Sequence, residues 1–201
     1  MNKKIIFSFI LGILIGGFII NYLQDSQNES DWVTENLAEE HDHDEDVHIH
    51  ADFIVFLNGE KKDFTKPEYQ STAESLRSEV VHLHDEKGDV IHIHAEGVTL
   101  KEFFTSLDYE LTNNCFVTDK DESFCSEENN KLSVYVNNQV VTDVENYVIK
   151  DLDQILIYHG NNQNETDNLL NEISDISCMY SGSCPERGTP PPEECGLTCE
   201  L

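Results

Sequence analysis

Basic residues are scarce in this chain: 12 lysines and arginines stand against 40 aspartates and glutamates in 201 residues, for a net charge of −28. Such a surface repels phosphate backbones and anionic headgroups and attracts cations, which excludes nucleic acid as a partner. Methionine is nearly missing, with Met1 and Met179 alone, so no thioether cluster exists to hold copper(I). There is no C-x-x-C pair and no βαβ pattern of thioredoxin type to lower a thiol pKa. No small-x-small cleavage site and no cysteine placed for lipidation follow the apolar N-terminal run.

That run is uncharged from Ile5 to Leu23, behind Lys3 and Lys4. It is long enough to span a bilayer core, and the two lysines hold its start in the cytoplasm by the positive-inside rule. Residues 1–23 therefore read as an uncleaved signal anchor or transmembrane helix, with a cleaved signal peptide as the alternative. All that follows is expected on the extracytoplasmic side. Residues 24–46 are polar and acidic and end in His41-Asp42-His43-Asp44-Glu45-Asp46. Too little apolar surface is available there to offset ordering entropy, so this is a tether.

The stretch from Glu79 to Leu107 carries the strongest pattern. Val81, Leu83, Ile91 and Ile93 alternate with His82, His84, His92 and His94, which at period two puts aliphatics on one face and imidazoles on the other. Asp85-Glu86-Lys87-Gly88 suits a three-residue hairpin loop ending in a left-handed glycine. That register sets Asp85 against Asp89 and His82 against His92. The opposite register would bury unsatisfied imidazoles under the following helix at roughly 1 to 3 kcal/mol each. Thr99-x-x-Glu102 has capping-box spacing, and Leu100, Phe103, Phe104 and Leu107 form one helical face. This face is expected to cover the aliphatics and leave the histidines outside the helix-sheet core.

A second ribbon runs from Val47 to Phe64, turning at Asn58-Gly59. Its His48, His50 and Asp52 share one face, so a third H-x-H has the same parity. A short helix is expected around Glu74 to Arg77. Cys115 and Cys125 flank an irregular loop and read as a disulfide, stabilising by about 2 to 3 kcal/mol. Leu132 to Val141 is a hairpin turning at Asn137-Asn138, and Gln154 to Tyr158 is a buried strand ending at His159-Gly160. Residues 47–160 thus form a histidine-rich α+β domain. Residues 161–177 are a linker with a helix on Leu169, Leu170, Ile173 and Ile176. Residues 178–201 are a cysteine-rich tail in which Cys178, Cys184, Cys195 and Cys199 allow three pairings, or a four-cysteine zinc site without the usual C-x2-C spacing.

The order hairpin, helix, hairpin, last strand from Glu79 to Gly160 resembles the β-grasp, or ubiquitin-like, fold. Its ending, VNNQVV...YVIKDLDQILIYHG, looks like that of the small sulfur carriers, whose C-terminal Gly-Gly is lacking here. The resemblance implies an α+β fold with a β-grasp-like sheet, the N-terminal ribbon added to it, one main packing helix and the small cysteine-rich tail. The motifs H-x-H-A-D-F, H-L-H, I-H-I-H-A-E-G-V-T-L and C-P-E-R-G-T-P-P-P-E-E-C, from about His48 to Cys199, resemble a family of small bacterial and archaeal proteins often labelled protein-disulfide isomerase. That resemblance implies thiol-disulfide chemistry.

The residues themselves point first to a membrane-tethered, extracytoplasmic site for a divalent transition metal. His48, His50, His82, His84, His92 and His94 are the ligands, and Asp52 and His159 complete or orient the shell. Imidazole ligands favour zinc, copper(II) or nickel(II). The alternatives are a zinc hydrolase or hydratase with Glu96 as candidate base, a thiol-disulfide isomerase, and a structural surface module. No protein partner is indicated.

Overall fold

The computed structural model describes residues 47–72 and 74–189. The expected anchor at 1–23, the tether at 24–46 and Cys195 and Cys199 lie outside the described residues. Among the described residues no helix is long and apolar enough to cross a membrane.

The strands are β1 (Ile49–Leu57), β2 (Glu60–Lys61), β3 (Val81–His82), β4 (Val90–Ile93), β5 (Glu110–Leu111), β6 (Cys115–Val117), β7 (Ser123–Cys125), β8 (Lys131–Val136), β9 (Gln139–Val141) and β10 (Gln154–Gly160). Three helices accompany them: α1 (Leu100–Ser106), α2 (Gln163–Leu170) and α3 (Ser177–Tyr180). A mixed sheet of seven strands runs β3-β4-β1-β10-β8-β9, with β2 paired to β1. A smaller sheet, β5-β6-β7, stands apart.

This corrects the expected fold class. The Val47 ribbon is not an addition to a sheet that begins at Glu79; β1 is the sheet's central strand, antiparallel to β4 and parallel to β10. The reason lies in its side chains. From His50 to Val55 every residue of β1 is buried, and only an interior strand covered on both faces needs that. A single packing helix cannot cover two faces, and α2 and α3 take the second one.

On the first face Phe53, Val55, Leu83, Ile91, Ile93 and Ile157 pack under Phe103 and Phe104 of α1. Phe53 meets Phe103 with ring centres 5.1 Å apart, and Phe104 meets Phe116 at 4.9 Å. The helix that carries these rings starts as its sequence requires. Thr99 Oγ1 accepts from the Glu102 amide at 3.2 Å, and Glu102 accepts from the Thr99 amide at 2.7 Å. Thr99→Ala is expected to cost about 1 kcal/mol in urea denaturation through loss of that cap; an unchanged midpoint would show the cap to be idle. On the second face Ile54, Leu156, Tyr158 and Tyr135 pack against Leu169 and Ile173.

The hairpin register is the expected one, with Val81 opposite Ile93 and His82 opposite His92. Its turn is not. The left-handed residues are Asp85 and Glu86, both at φ 57°, closed by the Lys87 amide donating to the His84 carbonyl at 3.0 Å. Gly88 is required instead for close approach: a Cβ there would lie 2.6 Å from the Thr65 nitrogen. Asn58-Gly59 and Asn137-Asn138 turn as expected, with positive φ at each residue. No helix forms around Glu74 to Arg77, where Thr72 bridges Ser75. The helix expected through Ile176 stops at Leu170, and Ile173 reaches the core from the turn beyond it.

Cys115 and Cys125 face each other across β6 and β7 and are joined, as are Cys178 and Cys184. Two disulfides belong to an oxidising, extracytoplasmic type of environment.

Candidate metal centre

Three adjacent strands supply the imidazoles, and the ladder aligns them. His82, His92 and His50 stand in one row across β3, β4 and β1. Alternation along each strand keeps His84, His94 and His48 on the same side. The rings close into a circuit in which each contacts two others. Their centres are separated by 3.8 Å for His84 and His92, 4.8 Å for His92 and His50, and 5.3 Å for His50 and His48. The circuit continues at 4.6 Å for His48 and His94, 5.0 Å for His94 and His82, and 5.6 Å for His82 and His84.

The face lies outside the core under α1, as expected, but it is covered. His50, His82, His84 and His92 are buried, while His48 and His94 are half-buried. The cover comes from the segment after α2. Tyr180 places its ring centre 5.0 Å from that of His92 and 5.5 Å from that of His50. Beneath α3, Asp52 anchors this cover. It accepts from Ser174 Oγ at 2.7 Å, from the Ile176 amide at 3.1 Å, and from the Ser177 amide and hydroxyl. Burial raises the Asp52 carboxyl above its ordinary pKa, and these hydrogen bonds pull it back only in part. Asp52 therefore holds the lid of the cluster.

The outer partners of three rings are defined. His82 Nδ1 is 2.8 Å from the Ser78 carbonyl oxygen, and His84 Nδ1 is 2.9 Å from Asp85 Oδ2. His50 Nδ1 is 3.0 Å from Ser181 Oγ, which in turn donates to Asp151. A carbonyl, a carboxylate and a hydroxyl committed as donor elsewhere can only accept, so in the neutral form of each ring it is Nδ1 that carries the proton. The lone pair of each ring is then on Nε2.

His159 does not join this group. It shares the parity of Ile155 and Ile157 and so projects to the first face, where it contacts Asn58 Oδ1 at 2.7 Å and the Cys125 carbonyl at 3.0 Å. Its role is to tie the β1-β2 turn to the disulfide loop. Glu96 is exposed in the turn after β4, outside the ring circuit. Sequence reasoning missed Tyr180, Ser181, Ser78 and Asp85. Only Asp85, adjacent to a histidine, carried a local signal.

Among the described residues, no group of three or more His, Cys, Asp or Glu side chains is placed to hold a metal ion. Comparison of the chain with protein families, with curated proteins and with solved structures finds no match.

Proposed function

We propose that this protein binds a borderline divalent transition metal, zinc or copper(II), on its histidine face, and does so outside the cytoplasm, tethered by the apolar N-terminal run. The observation that carries the reading is the pattern of Nδ1 partners on His50, His82 and His84. Metal-bound imidazoles almost always donate their other nitrogen to a carboxylate, carbonyl or water, which fixes the tautomer and the ring plane.

Ring spacing supports the same reading. An ion about 2.0 to 2.1 Å from a ring nitrogen lies about 3.2 Å from the ring centre. Two imidazoles sharing it then have centres about 4.5 Å apart at right angles and about 5.2 Å apart at the tetrahedral angle. Four of the six contacts in the circuit, at 4.6, 4.8, 5.0 and 5.3 Å, match this. Rotation about a histidine Cβ–Cγ bond is soft. At His48, His92 and His94 it re-aims the nitrogens while moving the ring centre little, so an ion at the oriented rings of His50, His82 and His84 can draw in further donors. The acid excess draws cations toward the surface.

Zinc titration of the full-length chain, made without an affinity tag, tests the proposal. His82→Ala and His92→Ala are each expected to weaken binding by at least about tenfold, the effect of losing even a group that only orients a ligand, and His41→Ala to leave it unchanged. Equal losses from all three would reduce the binding to unspecific chelation by an acidic, histidine-bearing chain.

A further inference from the structure

The segment between β2 and β3 bounds a cavity of about 470 Å³ against the turn that joins β3 to β4. Its size is that of a small-molecule site, but its wall is not the usual apolar one. Among the described residues that line it, Pro67 alone is apolar, and the rest carry hydroxyl, amide or carboxylate groups.

Gln70 belongs to this wall and is only 7% exposed. Its Nε2 donates to the Phe64 carbonyl at 2.7 Å and to the Lys87 carbonyl at 3.1 Å. Those two bonds fix which end of the amide is oxygen, because a flipped amide would set oxygen against two carbonyl oxygens. Oε1 then has no hydrogen-bond partner among the described residues. A buried acceptor left without a donor is costly, and such groups are rare in folded chains. The chain brings Oε1 no donor, so the donor that matches it comes from the cavity Gln70 lines.

The charge of that donor is set by the other side chains. Glu74, Asp85 and Glu86 line the same cavity, and no basic side chain does so among the described residues. Asp85 already meets His84 Nδ1 at 2.9 Å, whereas Glu74 and Glu86 are exposed. The three carboxylates are not placed to hold a bare metal ion. The charge they match is therefore that of a larger group that gives hydrogen bonds in several directions. We propose that this cavity binds an organic ammonium, whose N–H groups are shared between Gln70 Oε1 and the carboxylates of Glu74 and Glu86. The site is separate from the metal-binding reading of the histidine face. An alkyl diamine and a lysine side chain share the required chemistry. A neutral polyol would match Oε1 but leave the carboxylates without a counter-charge.

Putrescine is the probe, titrated into the isotope-labelled full-length chain in detergent. Saturable shifts are expected at the amides of Ser71, Thr72 and Glu86. Glu74→Gln together with Glu86→Gln should weaken binding roughly tenfold, as loss of one charge-assisted hydrogen bond does. Glu127→Gln together with Glu128→Gln removes the same charge from another exposed stretch and should change binding by less than about twofold. Fully N-methylated putrescine keeps both charges and offers no N–H, so it should bind roughly tenfold more weakly. Gln70→Met, which keeps the side-chain length without the acceptor oxygen, should erase that preference; if it fails to fold, the methylated diamine still decides. A capped lysine separates the two sources: binding as tight as that of putrescine assigns the cavity to a partner's side chain, and weaker binding assigns it to a small diamine. Equal binding of putrescine and its methylated form would leave Gln70 matched by water alone and overturn the ammonium site. Equal losses from the two glutamate pairs, glycerol binding as tightly as putrescine, or no saturable shift would overturn it as well.

Discussion

Asp52→Ala is expected to detach the covering strap, residues 174–187, and to lower the unfolding free energy by about 3 kcal/mol. The carboxylate is fully buried and receives two serine hydroxyls and two backbone amides. Hydrogen bonds to a charged acceptor are worth about 1.5 to 3 kcal/mol, and each donor left buried and unmatched costs about 1 to 3 kcal/mol. The strap can recover part of this by opening to water, which keeps the total near 3 and exposes Tyr180. Urea denaturation reads the loss, and amide exchange at Ile176 and Ser177 reads the detachment. A loss under about 1 kcal/mol with unchanged exchange would show that the strap is held by the Cys178–Cys184 disulfide and the Arg187–Asp175 ion pair alone.

The charge and the geometry of Asp52 act in opposite directions. Its carboxyl pKa is raised, chiefly by burial, so the folded chain binds that proton more tightly than the unfolded one. Its contribution to stability therefore declines as pH climbs from the unfolded value, near 3.9, through the raised folded value. At neutral pH the charge is a cost and the array of donors the compensation. Asp52→Asn keeps one acceptor oxygen and drops the charge, so it should lose less than Asp52→Ala, and its stability should lack that decline with pH.

The part of this site that is local in the chain was legible beforehand. His82 stands opposite His92 because two short strands joined by a tight turn have few registers, and only one sends all four aliphatics under Phe103 and Phe104. The position of β1 depended on a parallel partner, β10, whose residues lie about a hundred positions away, such as Asp52 against Gln154. The one available signal was the apolar run from Phe53 to Leu57, too continuous for a strand with an open face. The strap was illegible for a different reason. Ser174, Ser177 and Ser181 have no hydrophobic period, and their role is set by Asp52 and His50, more than 120 residues earlier. A buried aspartate in a central strand does imply that donors must arrive from somewhere, but not from where. His159 was misplaced by its neighbourhood: its parity with Ile155 and Ile157 already assigned it to the other face.

Acidification is expected to release the metal with a steepness that counts its ligands. Each imidazole must be neutral to coordinate, so below the range where imidazole takes up its proton each ligand adds one proton to the release. A shell of three histidines then loses affinity by roughly 10³-fold per pH unit in that limit, and a plot of log affinity against pH approaches a slope of three. Carboxylates behave otherwise, because they stay ionised down to about pH 4 to 5. With 40 acidic residues on the chain, diffuse binding to carboxylates is the rival explanation for any metal uptake, and it predicts a nearly flat line between pH 6 and 5. Competition with a chromophoric chelator, corrected for the chelator's own protonation, measures the slope directly. Thermal unfolding offers a second readout, since an ion bound only to the folded state raises the midpoint by mass action and that increment must vanish over the same pH interval. A slope of one or less would remove the histidine shell as the binding site, whatever the affinity at neutral pH.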